Sequence, residues 1–145
     1  MALAATLMSG CTPPPPVITP AEGVVLLDGE PLPNALITFA PELDNFGAEM
    51  NSTGVTDAKG QFQLTCMFKS EPGAVVANHR VIVTDAPPPP GARGPSQAAQ
   101  EKLTQYQNSL KNRPIPKMYT AFGTTPLTVQ VTADQKVYKL NLTRK

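Results

Sequence analysis

The side chains able to do chemistry in this chain are few and poorly combined. His79 is the only histidine, which leaves few ways to assemble a nucleophilic triad and excludes a metal site with two imidazoles. Cys66, Met50, Met67 and Met118 add soft donors that would suit copper in an oxidising compartment. No two of these ligands fall at a chelating spacing such as M-x-x-M or H-x-x-x-M. The reading that follows is Met and Cys in a core, with His79 opening a strand. Asp28, Asp57 and Asp134 each adjoin a turn, where Asp bonds to its own backbone; calcium at a loop end is the alternative. Phe39 and Phe62 belong to apolar strand faces and the chain has no Trp. An aromatic platform for a glycan or peptide would therefore fall to Tyr106, Tyr119 and Phe122, with Phe46 as a further exposed candidate. No catalytic set, cofactor or metal site emerges, and the chain reads as a non-enzyme.

Charge narrows the partners. With 12 basic and 11 acidic residues and no block of one sign, nothing attracts a polyanion, which argues against nucleic acid. The opening MALAATLMSGC, residues 1–11, resembles the end of a bacterial lipoprotein signal peptide. An aliphatic residue and two small ones, Ser9 and Gly10, precede Cys11, whose thiol is the nucleophile in lipid transfer. Cys11 is thus the expected lipid attachment site, and the membrane the expected first partner. The apolar run is short and no Lys or Arg precedes it, as when the true start lies upstream of Met1. Thr12 after the cysteine, rather than Asp, resembles lipoproteins passed to the outer membrane, facing the periplasm. No stretch approaches the roughly 20 apolar residues of a membrane helix. With Cys11 acylated, Cys66 is left as a small buried hydrophobe.

The chain holds 17 prolines, and two runs of four, 13–16 and 87–90, punctuate it. Residues 12–20 read as an extended tether, about 28 Å long at about 3.1 Å per residue, and residues 21–145 as the folded domain. Strand signals follow at Val24–Leu27, Ala35–Phe39, Thr53–Thr56, Gln61–Phe68, His79–Thr84, Leu127–Val131 and Val137–Leu142, separated by turns such as Asp28-Gly29 and Asp57–Gly60. Alternation puts Ala35, Ile37 and Phe39 on one face, and Phe62, Leu64, Cys66 and Phe68 likewise. The second proline run cannot sit in a central strand and opens an insertion, 86–116. Within it Ala99, Leu103, Tyr106 and Leu110 form one helical stripe over 96–112, with Ser96 as N-cap. The whole is an all-β antiparallel sandwich of about seven strands carrying one inserted amphipathic helix.

Gly23-Val24-Val25-Leu26-Leu27-Asp28-Gly29-Glu30-Pro31-Leu32 through Phe39, and Thr56-Asp57-Ala58-Lys59-Gly60-Gln61-Phe62-Gln63-Leu64, resemble the carboxypeptidase regulatory-like, transthyretin-type β-sandwich. Ile115-Pro116-Lys117-Met118-Tyr119 and Thr124-Thr125-Pro126-Leu127-Thr128-Val129-Gln130-Val131 resemble the C-terminal part of small lipoproteins of planctomycete-type bacteria. The resemblance implies a secreted, lipid-anchored accessory domain without catalytic activity. Enzymes on related folds use more histidines than this chain holds. The expected role is structural or protein-interacting in the cell envelope; the alternative is a glycan- or peptide-binding module using residues 87–119.

Overall fold

The computed structural model describes residues 16–44 and 46–144. Twelve strands and one α-helix are found among them. In chain order they are β1 Ile18–Thr19, β2 Glu22–Leu27, β3 Glu30–Pro31, β4 Ala35–Pro41, β5 Ser52–Val55, β6 Gln61–Gln63 and β7 Thr65–Cys66. Then come β8 Glu71–Pro72, β9 Ala74–Val75, β10 Asn78–Asp85, α1 Gln97–Ser109, β11 Thr128–Gln130 and β12 Val137–Leu142. One large sheet has the order β11-β10-β4-β5-β7-β8; the second is β12-β2-β3, with β6 also paired to β2; β1 and β9 form a separate two-stranded ladder. The inner faces of the large and second sheets share one core, Val25, Leu27, Tyr138 and Leu140 against Ile37, Phe39, Val81 and Val83. The architecture is β-sandwich-like, and no described helix is long and apolar enough to cross a membrane.

The alternation read from sequence survives as far as Cys66: Ala35, Ile37 and Phe39 are buried, as are Phe62, Leu64 and Cys66, whereas Phe68 is half-buried and starts a 3-10 turn. Three features differ. The stretch 61–68 is not one strand. β6 pairs with β2 in one sheet and β7 with β5 in the other, so the chain crosses between layers at Leu64, whose N–H bonds Ala21 and whose carbonyl takes Gly73. Alternation cannot register such a crossing, because the buried face stays buried. Second, β12 lies parallel to β2, Val137 opposite Glu22 through Leu142 opposite Leu27. The Ala133–Gln135 turn carries the chain from one sheet to the other, so its two strands are not hairpin partners. Third, the segment 12–20 is not all tether. Ile18 and Thr19 pair with Val75 and Ala74, and Thr19 is buried. The remaining pieces beyond the expected strands, β3, β8 and β9, are two residues each, too short to leave a periodic signal.

Strand direction gives the sandwich two distinct ends. β2 starts where β1 enters and finishes at the Asp28-Gly29 turn. That entry end also gathers the loops after β4, β7 and β9. The opposite end gathers Asp28-Gly29, Pro33-Asn34, Thr56–Lys59 and the insertion after β10, joined by Asn34 N–H to Thr56 O and Ala86 N–H to Asn34 O. β4 is seven residues long, so at about 3.3 Å per residue the ends lie roughly 20 Å apart.

His79 is fully buried in β10. Its Nε2 donates to Val75 O at 2.6 Å, its ring packs on Phe39 at 5.6 Å between centroids, and its Nδ1 has no partner. Burial pushes its pKa below the ordinary histidine value, opposed by the carbonyls of Val75 and Phe39. The unfolded chain therefore binds the proton more readily than the folded one. Folding stability is full above about pH 6.5 and declines as pH falls from there toward the folded-state pKa, by at most about 1.4 kcal/mol per pH unit. Glu49, held below its usual range by the Gly47 N–H, titrates beneath this window. Urea unfolding of the wild type from pH 8 to 5 should show the decline, and His79→Gln should remove it; equal slopes in the two proteins would contradict it.

Candidate functional site

The insertion is the largest departure from the bare sandwich, and its local chemistry explains how it is held. Ser96 caps α1, its Oγ accepting from Ala99 N–H at 3.1 Å, and Ala99 is the buried residue of the helix. Ser96→Ala should cost about 1 kcal/mol, checked by faster amide exchange confined to the first turn of α1. The stripe identified from sequence faces inward: Leu103, Tyr106 and Leu110 are half-buried. Tyr106 OH donates to Ala86 O at 2.5 Å, closing the helix over the proline run. Asn34 Nδ2 donates to Ser109 Oγ at 2.8 Å, which ties the helix's last turn to the loop before β4.

The chain then leaves the helix through Asn112, whose φ of +61° lies in the left-handed region that Asn tolerates. Asn112 Nδ2 faces three carbonyls, Leu27 O at 3.0 Å, Glu30 O at 3.1 Å and Pro31 O at 3.2 Å. Its Oδ1 accepts from Arg144 Nη2 at 2.9 Å, and Arg144 pairs with Asp28 at 3.0 Å. Arg113 pairs with Asp85 at 2.7 Å and donates to Pro33 O and Asn34 O. The sequence ends the helix at this point but carries no signal for the fastening, which depends on loops some 80 residues earlier in the chain.

Two clefts flank α1. One, of about 470 Å³, is lined by Pro33, Asn34, Thr56, Asp57, Ala58, Gln105, Asn108, Ser109 and Lys111. The other, of about 540 Å³, runs between Tyr106, Lys102 and the prolines 87, 89 and 90. The three aromatic residues proposed from sequence as a ligand surface are not brought together. Tyr119 is 3% exposed, and its OH joins Thr143 N–H and O. Phe122 is 46% exposed but lies under Arg80, whose guanidinium carbon is 4.7 Å from its ring centroid. Tyr106 alone lines a cleft. Cys11, the expected lipid site, lies outside the described residues.

Asp28, Asp57 and Asp134 sit on separate turns. Asp57 Oδ1 accepts from the N–H groups of Lys59 and Gln61, both at 2.9 Å. Among the described residues no three His, Cys, Asp or Glu side chains are grouped to hold a metal ion. Cys66 is buried and free, its Sγ directed to Met50 O at 3.7 Å. Comparison with models of protein families, with curated proteins and with solved structures gave no match.

Proposed function

We propose that the protein is a non-enzymatic, lipid-anchored β-sandwich module of the bacterial cell envelope, of the carboxypeptidase regulatory-like, transthyretin-type kind, that displays its insertion to an envelope partner. The observation that carries this reading is polarity. β1, the first described strand after Cys11 in the sequence, enters at one end of the sandwich, and α1 with its fastened loop occupies the other. An anchor at the first end directs the second away from the membrane. The Asn112 and Arg113 contacts hold the displayed surface in one arrangement, which lowers the ordering cost of binding.

The anchor is tested by labelling cells with a palmitate analogue, using the full-length reading frame. Label is expected on the wild type and absent from Cys11→Ser; persistence in the variant overturns the anchor. The display is tested with a photo-crosslinker in cells: the same adduct should form from Gln100 and Asn108 in the cap and be missing from Lys139 on the sheet. Adducts of equal yield from all three positions contradict it.

The cleft beside Asn108 favours a second reading, capture of a glycan or peptide. Pro33 and Ala58 line it together with the polar side chains of Gln105, Asn108 and Lys111, the mixture of apolar and polar groups found at small-ligand sites. Asn108→Trp fills that cleft, and should abolish chemical-shift changes produced by soluble cell-wall glycan fragments. Unchanged shifts in the variant remove this reading.

A further inference from the structure

The end of the sandwich where the chain enters is apolar and incompletely closed. The main core buries its side chains thoroughly, whereas a second cluster of Met50, Cys66 and Val75 is covered only by half-buried residues, Leu43, Phe46 and Phe68 among them. Beside it Val17 is 64% exposed, Met67 60% and Val76 38%. These are not scattered. Val76 N–H bonds Val17 O at 2.8 Å, which continues the β1–β9 register and sets the two valines side by side on one face. Met67 faces outward, Phe68 is half-buried against the cluster, and the next two residues, Lys69 and Ser70, are consecutive non-glycine residues with φ of +57° and +53°. Such a conformation costs free energy and is kept where something compensates. Lys69 lies over the Phe68 ring, 5.2 Å from its centroid, an apolar body with a charged tip of the sort found at membrane interfaces.

We propose that this entry end rests on the lipid interface itself, with Val17, Met67, Phe68 and Val76 in contact with a neutral, zwitterionic surface. The inference rests on reading Cys11 as the anchor. Val17 is six positions after Cys11, and six residues span at most about 3.6 Å each, which keeps this face within about 20 Å of the lipid. Charge sets the lipid class. Exposed Lys69 and Lys136 are outnumbered by exposed Asp44, Glu49, Glu71 and Asp134 around the same end, so an anionic surface repels this face rather than drawing it in.

The test supplies the tether artificially, so that it does not depend on acylation. The full chain, in a Cys11→Ser background with an N-terminal hexahistidine, is held on phosphatidylcholine vesicles through a nickel-chelating lipid. An environment-sensitive dye is placed at Met67→Cys or Gln100→Cys, with spin-labelled lipid as quencher. Quenching at position 67 should exceed that at position 100 by at least about twofold, and adding phosphatidylglycerol should not increase it. Equal quenching at the two positions overturns the proposal. So does shielding of the Met67 dye without vesicles that grows with protein concentration, which assigns the face to a second copy of the chain. Absence of palmitate label from the wild type, with quenching intact, removes the acyl anchor and leaves the lipid-facing end.

Discussion

Phe39→Ala is expected to lower the folding free energy by about 3–5 kcal/mol, near the top of the range for a single core substitution. The cost is large because Phe39 joins the layers as well as filling space. It is fully buried on β4 of the larger sheet, with ring centroids 6.2 Å from Phe62 and 6.2 Å from Tyr138 on the other sheet. On its own sheet it packs against His79 at 5.6 Å. Truncation removes aromatic contacts in three directions, and short strands tied across the layers cannot collapse to fill the gap. Against a typical domain stability of about 5–15 kcal/mol, that loss is a large share. Ile37→Val, two positions along the same buried face, should cost only about 0.5–1.5 kcal/mol. A secondary effect follows from His79. A cavity beside the imidazole weakens the desolvation that holds its pKa down, so the acid-side slope of stability becomes shallower in Phe39→Ala. Urea unfolding at pH 8 and pH 5 measures both; a loss below about 1 kcal/mol would show that the layers are held elsewhere.

The layers were legible in the sequence because a half-buried strand writes its inward face at every second position. Ala35-Leu36-Ile37-Thr38-Phe39 and Val137-Tyr138-Lys139-Leu140-Asn141-Leu142 do so. The helix was legible from the stripe through Ala99 and Tyr106 and from the Ser96 cap. What alternation does not encode is which sheet a strand joins. Gln61–Phe68 keeps its inward residues while passing from one layer to the other, and β12 chooses a parallel neighbour for the same reason: both inner faces look into one core. The pairing of Ile18-Thr19 was hidden by the prolines on either side, Pro16 and Pro20. Their missing N–H groups argue against a sheet, yet leave a two-residue ladder intact between them. At the site, Tyr119 read as a platform candidate because Phe39 and Phe62 were assigned to the core; its hydroxyl bonds the backbone of Thr143, 24 residues away, which no local pattern records. The Asn112 fastening was hidden likewise, since its acceptors are the carbonyls of Leu27, Glu30 and Pro31.

Asn112→Asp should release the cap while leaving the sandwich folded, at a cost of about 1–3 kcal/mol. The substitution changes one group. Asp has the shape of Asn, tolerates the same left-handed φ, and keeps an oxygen for Arg144 Nη2. It replaces the amide that donates to Leu27 O, Glu30 O and Pro31 O with an anionic oxygen facing those three acceptors. A donor shared among carbonyls becomes a repulsion, and the loop must move. Arg113 still holds Asp85 and the carbonyls of Pro33 and Asn34, so the break is partial and centred on the helix C-terminus. Amide exchange of α1 should rise by one to two orders of magnitude, roughly what 1.4–2.8 kcal/mol of local opening gives, with β4 and β10 still protected. Asn112→Gly separates the causes: it keeps the φ, removes the donor and adds no charge, so its effect should be smaller. If α1, β4 and β10 open together in Asn112→Asp, the cap is part of the cooperative core. The opposite result, local opening over an intact sandwich, makes the Asn112 contacts the fastening that holds the displayed surface in one arrangement.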